Sequence, residues 1–469
     1  MTSVASRPVP ARPSPEEHVE QVVARLRSTF AGGRTRDLRW RRQQLRGIER
    51  LCAEQEPAIA AAMAADLGRS AHDTWLGEIA STRGEAAFAR KHLRRWNRKR
   101  RVHLPVAQQP GSAHYRYEPL GTVLVIGPWN YPVYLCLGPL VGALAAGNTA
   151  VLKPSEHAPA VSALLAELLP RYVDPDAVAV VEGEADATQA LLAQGLDLAF
   201  FTGGPEIGKK VMEGAAKHLT PVVLELGGKC PAIVAADADL AVTARRLVWT
   251  KLLNSGQTCI APDYLLVEES VRDALVTEIL GCYEQFRVGE PAGLRIVNDR
   301  QHDRLTGLLE GHGGRVVLGG GADRDALTME PTVVVDPDKA SSLMTEEIFG
   351  PILPIVSVSS VDDAVRHVNA GPKPLAAYVF SSSRRTHELL TAAVPSGGTV
   401  INHAMMHCLV PQLPFGGVGT SGMGAYHGRW GFEAFSHRKA VMSKSTKPDP
   451  GLLYPPYSDR EKALMRKLL

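Results

Sequence analysis

An α/β fold built on parallel sheets with crossover helices is what this sequence predicts, and three observations predict it. Short apolar runs alternate with helical patterns from about residue 122 to about residue 402. Glycine-rich turns stand where several of those runs end, which is where α/β sheets place ligand sites. The chain has 469 residues, 45% of them hydrophobic. That is more than one ordinary core accommodates, so two domains or more are expected.

Taken in order, residues 1–13 are rich in proline and serine and read as a disordered arm. Ser14-Pro15-Glu16-Glu17 is a helix start, with Ser at the cap, Pro in the first turn and Glu three residues on. Val19, Val22, Val23, Leu26 and Phe30 follow at helical spacing until Gly32-Gly33. Further helices are predicted over 36–53, 56–67 and 72–99. The last ends in a basic cluster between Arg90 and Arg101, either a phosphate or anionic-lipid site or a solvated helix end favoured by the helix dipole. Residues 103–118 then read as a strand or hairpin, with Tyr115 and Tyr117 alternating with His114 and Arg116. Strands are predicted at 122–126, 149–152, 177–181, 198–201 and 221–224, with helices near 131–146, 158–171, 186–194 and 205–217. A second alternation follows, with strands at 264–267, 314–318, 332–335, 353–357, 376–380 and 398–402. Its helices are predicted at 237–253, 269–286, 360–369 and 383–393. The stretch 413–431 is glycine-rich.

Charge and cysteine usage exclude several classes. A net charge of +3 gives no global argument for nucleic acid or a membrane surface. Six scattered cysteines, Cys52, Cys136, Cys230, Cys259, Cys282 and Cys408, make neither a disulfide scaffold nor a zinc site, and imply a reducing, cytoplasmic setting. Met1 to Pro15 has no apolar run and is not a secretory signal. The longest apolar stretch, Tyr131 to Ala146, is broken by Pro132 and Pro139. It falls short of the roughly 20 residues a bilayer needs. His403 and His407 have zinc-like spacing, but no second ligand pair is evident; they and His427 read as structural or surface.

The chemistry centres on Asn254-Ser255-Gly256-Gln257-Thr258-Cys259. Small and polar residues precede Cys259, leaving its sulfur accessible. It is either a catalytic thiol or a small buried hydrophobe. A nucleophilic role needs a lowered pKa or a base that removes the proton during attack. Gly127-Pro128-Trp129-Asn130 follows a predicted strand; Asn130 either caps a helix or donates to an oxyanion. Lys153 and Glu156 close the next strand, either as a surface pair or as a grip on ribose hydroxyls. A carboxylate there repels a 2′-phosphate and so favours NAD over NADP. Phe201-Thr202-Gly203-Gly204-Pro205 is a strand, glycine turn and helix start suited to a pyrophosphate, although it is not the Gly-x-Gly-x-x-Gly fingerprint. Glu225 stands in the apolar run Leu224-Glu225-Leu226, either a general base whose pKa burial raises or a structural partner of Lys229 or an arginine. Glu346-Glu347-Ile348-Phe349 offers a carboxylate and a ring for a ribose and a nicotinamide, or forms a loop.

These motifs, with Pro414-Phe415-Gly416-Gly417-Val418-Gly419, together resemble the aldehyde dehydrogenase superfamily from about Val19 to about Lys444. Ala261-Pro262-Asp263-Tyr264 and Ser421-Gly422-Met423-Gly424-Ala425-Tyr426-His427-Gly428 look most like its class 3 branch. The resemblance implies that Cys259 is the nucleophile, Glu225 the base, and Asn130 with the Cys259 N–H the oxyanion hole. It assigns the dinucleotide to Lys153, Glu156, Gly203, Gly204, Gly227, Glu347 and Phe349, and no metal. It implies an α/β fold with a parallel-sheet cofactor domain (14–102 and 121–225), an α/β catalytic domain (226–410) and a bridging or oligomerisation segment (103–120 and 411–445), then a tail (446–469). Class 3 members are typically dimers that use NAD or NADP on medium-chain, long-chain or aromatic aldehydes, and some carry a C-terminal membrane anchor. No such anchor is expected here. The family usually has Ser, Thr or Asn near Gly204-Pro205, a departure that bears on the diphosphate contacts. Rival expectations are transfer of the acyl group to coenzyme A and a catalytically dead scaffold.

Overall fold

The computed structural model describes residues 14–286, 294–449, 451 and 454–468. The arm expected over residues 1–13 lies outside the described residues. The first helix, Pro15–Ala31, starts at the predicted capping box: Ser14 Oγ accepts from the Glu17 N–H, and the Glu17 carboxylate accepts from the Ser14 N–H. Helices Leu38–Glu54 and Glu56–Leu67 follow. The helix predicted over 72–99 is interrupted. Ala71–Thr74 runs into a π-helical turn, Trp75–Ala80, before Ser81–Trp96. Periodicity cannot show such a turn, because one extra residue leaves the flanking helical patterns intact.

The first large sheet has the spatial order Gly422–Met423, Val222–Leu226, Leu198–Gly203, Thr122–Ile126, Thr149–Lys153, Val178–Val180. All its pairs are parallel except that of Gly422–Met423 with Val222–Leu226. The strand predicted at 221–224 extends to Leu226 and so carries Glu225 inside the sheet. Tyr134–Ala146 packs against this sheet and is buried almost throughout. That burial explains its apolar composition; among the described residues no helix is long and apolar enough to cross a membrane.

The second large sheet has the order Arg315–Leu318, Thr332–Val335, Ile352–Val358, Tyr264–Glu268, Pro231–Val234, Ala376–Phe380, Gly398–Ile401. It is parallel apart from Arg315–Leu318. Pro231–Val234 is central here and was not predicted. It is four residues long and opens on a proline, which a sheet tolerates at the first position of a strand. Helix Asp299–Leu308 was also not predicted. A third, antiparallel sheet joins Arg100–Val102, Gly111–Pro119 and Ser436–Lys444, so the region read as a hairpin gains its longest partner from more than 300 residues away.

Candidate active site

Cys259 is delivered by a strained loop. Helix Leu240–Leu252 ends, and Asn254, Ser255 and Gly256 then take φ of 52°, 57° and 70° in succession. Left-handed backbone is costly for Asn and Ser, so the surroundings must hold it. Gln257 does so. Its Nε2 donates to the carbonyls of Asn254 and Arg295, both at 3.1 Å, and its Oε1 accepts from the Val297 N–H at 3.0 Å. At Gly256 a Cβ would strike the Gly350 carbonyl. Cys259 itself is half-buried, and its own N–H points at its sulfur. Burial, and then the carboxylates of Glu347 and Glu225, push the thiol up.

Asn130 caps no helix. The following helix, Tyr134–Ala146, has Val133 at its cap, and Glu78 accepts the Tyr134 N–H at 2.6 Å. Asn130 Nδ2 instead donates to the Gln257 carbonyl at 3.0 Å, two residues before the sulfur. An amide nitrogen carries two N–H groups, so one remains for another acceptor.

Glu225 and Cys259 open onto one cavity. Neither Glu225 oxygen has a hydrogen-bond partner, and burial raises its pKa well above the usual carboxylate range. Lys229, the partner considered for it, bonds Asp263 at 2.5 Å instead. Opposite Glu225 on the adjoining parallel strand is Thr202, whose buried hydroxyl is also without a partner. The walls are mainly apolar, with Tyr131, Tyr134, Trp249, Leu375, Phe415 and Tyr426 among them. Met405, Met406, Cys408 and Leu409 also line it. His427, read from sequence as structural or surface, is 2% exposed and lines this cavity. It stacks on Phe415 and bonds the Tyr134 hydroxyl at 3.1 Å.

The remaining predicted residues stand at the ends of the first sheet and the loops facing it. Lys153 ends its strand and bonds Glu156 at 2.7 Å. Burial alone would raise the Glu156 pKa, but Lys153 and His157 hold it below the ordinary value. Gly203 ends the next strand, and Gly204 precedes helix Pro205–Ala216 with open space where a Cβ would be. At Gly227 a Cβ would collide with the Glu347 carboxylate. Glu347 is enclosed, and burial and then Asp263 push its pKa up to about 8. It accepts from the Gly228 N–H, yet its Oε1 has no partner. Arg304 fixes this turn by donating to the carbonyls of Glu347 and Ile348. Phe349, at φ 49°, packs edge-on against Trp129 with centroids 5.3 Å apart.

Residues 10–441 match the model of the aldehyde dehydrogenase family. The chain belongs to that family. It is 45% identical over 448 residues to aldehyde dehydrogenase family 3 member A2 of Rattus norvegicus, covering 94% of this chain and 92% of that one. Among solved structures, a substrate-bound state of Staphylococcus aureus AldH is 38% identical with a TM-score of 0.92, covering 96% of this chain and 99% of that one. An NAD-dependent aldehyde dehydrogenase from Sinorhizobium meliloti is 30% identical with a TM-score of 0.85, covering 93% and 88%. As a member of the aldehyde dehydrogenase family, the chain is an NAD(P)-dependent oxidoreductase acting on aldehydes.

Sequence reasoning missed the support beneath this dehydrogenase site. Gly77 and Glu78 come from the region read as one plain helix and Arg69 from the gap before it, yet Arg69 and Gly77 line the cavity and Glu78 is fully buried. The one available signal was an Arg and a Glu nine positions apart around an uncharacteristic glycine. Among the described residues no group of three potential metal ligands is assembled.

Proposed function

We propose that this aldehyde dehydrogenase oxidises apolar aldehydes, medium-chain, long-chain or aromatic, to the acid through a thioester on Cys259. One observation carries the reading: Cys259 and an unpartnered, buried Glu225 share an otherwise largely apolar cavity. Glu225 has the proton affinity to take the thiol proton as the sulfur attacks the carbonyl carbon. The free N–H of Asn130 and the N–H of Cys259 receive the developing oxyanion, an interaction typically worth about 100- to 1000-fold in rate. NAD, when bound, accepts the hydride that the thiohemiacetal must lose. Once Glu225 has released the thiol proton to solvent through the cavity mouth, it removes a proton from water, which displaces the sulfur and releases the acid.

The residues present fit a dinucleotide. The orphaned Oε1 of Glu347 is an acceptor suited to a ribose hydroxyl, in a cradle that a side chain at Gly227 would fill. Phe349 supports the nicotinamide end. Lys153 and Glu156 hold the adenosine ribose, where the Glu156 charge favours NAD and leaves NADP as the poorer cofactor. Gly203 and Gly204 let the helix amides approach the pyrophosphate.

The same reading assigns residues 14–102 and 121–225 to the cofactor domain and 226–410 to the catalytic domain. Residues 103–120 and 411–445, which carry two of the three strands of the antiparallel sheet, bridge to a second subunit in a homodimer. Six unpaired cysteines suit a reducing cytoplasm.

An aldehyde series tests the substrate class. Each methylene buried in the cavity is worth ~0.8 kcal/mol, or about fourfold in kcat/KM. A rise of that size from propanal to octanal supports the assignment, and a flat or falling series rejects it. Coenzyme A transfer is disfavoured because Glu225 supplies the base for water. Acyl-coenzyme A formation faster than acid release would reverse that choice.

A further inference from the structure

We infer that Arg69 is a positioning residue for the oxyanion site, acting through Asn254 on the amide of Asn130; the inference rests on the oxyanion role proposed above. Its guanidinium uses each nitrogen on a different partner. Nε donates to the Asn254 side-chain carbonyl at 2.8 Å, Nη2 to the Asn130 backbone carbonyl at 2.8 Å, and Nη1 to Glu78 at 3.1 Å. Because Arg69 only donates, it fixes which end of the Asn254 amide faces it. The Asn254 nitrogen must then point the other way, and it donates to the carbonyls of both Asn130 and Gln257 at 3.0 Å. The Gln257 carbonyl is also the anchor of Asn130 Nδ2. One guanidinium therefore sets the orientation of the donor and of the left-handed loop that carries the nucleophile. It also lies over the Tyr131 ring, 4.1 Å from its centroid, and the Tyr131 hydroxyl meets Thr258 Oγ1 at 3.1 Å, next to Cys259. Arg69 is itself immobilised, since Glu78 is fully buried against it.

A lysine keeps the charge beside Glu78 but has a single nitrogen, which cannot span the three acceptors. The test compares Arg69→Lys, Asn254→Ala, the double variant and Asn130→Ala, using octanal and NAD in stopped flow. Arg69→Lys and Asn254→Ala are each expected to slow the NADH burst about 10- to 100-fold, the scale of a small misplacement of a reacting group. The double variant should be no slower than the worse single one, because both act through one unit. KM for NAD should stay at the parent value and each variant should still melt in one cooperative transition, which a general loss of structure would not allow. A lower Tm is expected for Asn254→Ala, which puts Ala at φ 52° and removes three hydrogen bonds. A parent-like burst in Arg69→Lys, or losses that multiply in the double variant, overturns the inference. If Asn130→Ala slows the burst while Arg69→Lys does not, the clamp alone fails. A parent-like burst in Asn130→Ala removes the oxyanion role and the clamp with it.

Discussion

Lys229 gives its charge to Asp263, at 2.5 Å, although Glu225 is only four residues before it. The same ammonium donates to the carbonyls of Leu343 and Glu346, and Asp263 accepts the Ile348 N–H at 2.8 Å. The cation is thereby spent on holding the loop that presents Glu347 and Phe349. Glu225 is left enclosed, unpaired and more basic than an ordinary carboxylate.

That pairing predicts the pH behaviour of turnover. Glu225 works as a base only when ionised, and burial raises its pKa. As pH falls, deacylation should therefore fail well above the ordinary carboxylate range. Glu225→Gln is expected to give a burst of NADH followed by a stalled acyl-enzyme, visible as a mass increase on Cys259. Unaltered steady-state turnover in that variant would count against the base.

Cys259→Ala is expected to abolish aldehyde oxidation while leaving dinucleotide binding intact, because the sulfur belongs to the cavity and not to the cofactor cradle. Calorimetric titration with NAD alongside an NADH assay separates the two properties. Residual oxidation near the parent rate would remove the assignment.

Glu156→Gln should raise the ratio of NADP-linked to NAD-linked kcat/KM. The carboxylate is held ionised by Lys153 and His157, and its neutral isostere no longer repels a 2′-phosphate. A constant ratio means that Glu156 does not select the cofactor.

Gly256→Ala combines a φ of 70° with a clash against the Gly350 carbonyl. The left-handed conformation alone costs roughly 1–2 kcal/mol, and the clash adds to it. A lowered Tm and a slower burst are expected together. A variant matching the parent in both would show that the loop is not confined there.

His407 predicts sensitivity to acid. Burial lowers its pKa to about 4 from the ordinary 6.5, and its Nδ1 has no partner. The unfolded chain therefore binds the extra proton first. Stability attributable to this group is complete above pH 6.5 and is lost as pH falls toward 4, by about 3 kcal/mol across that window. Denaturant melts at pH 7 and pH 4.5 should show the loss, and His407→Gln should reduce it.

The alternating pattern and the strand-end motifs were legible along the chain. Thr122–Ile126 is fully buried and was predicted residue for residue, because an uninterrupted apolar run needs no partner to be recognised. Pro231–Val234 was not, because its neighbours on both sides supply the case for a strand that its own four residues do not make. Glu225 stood out as a charge in an apolar run, but Lys229 four residues away left two readings open.

The residue types needed for aldehyde chemistry, and their places at the ends of strands, are local properties, and the linear order of side chains determined them. Orientation is not local. Which carboxylate Lys229 neutralises, that His427 faces the cavity, and that Arg69 reaches Asn130 and Asn254 across 61 and 185 residues were decided by the folded chain. A hydrogen bond depends on distances of a few ångströms and on donor direction, and only the packed sheets and the π-helical turn bring those groups within that range.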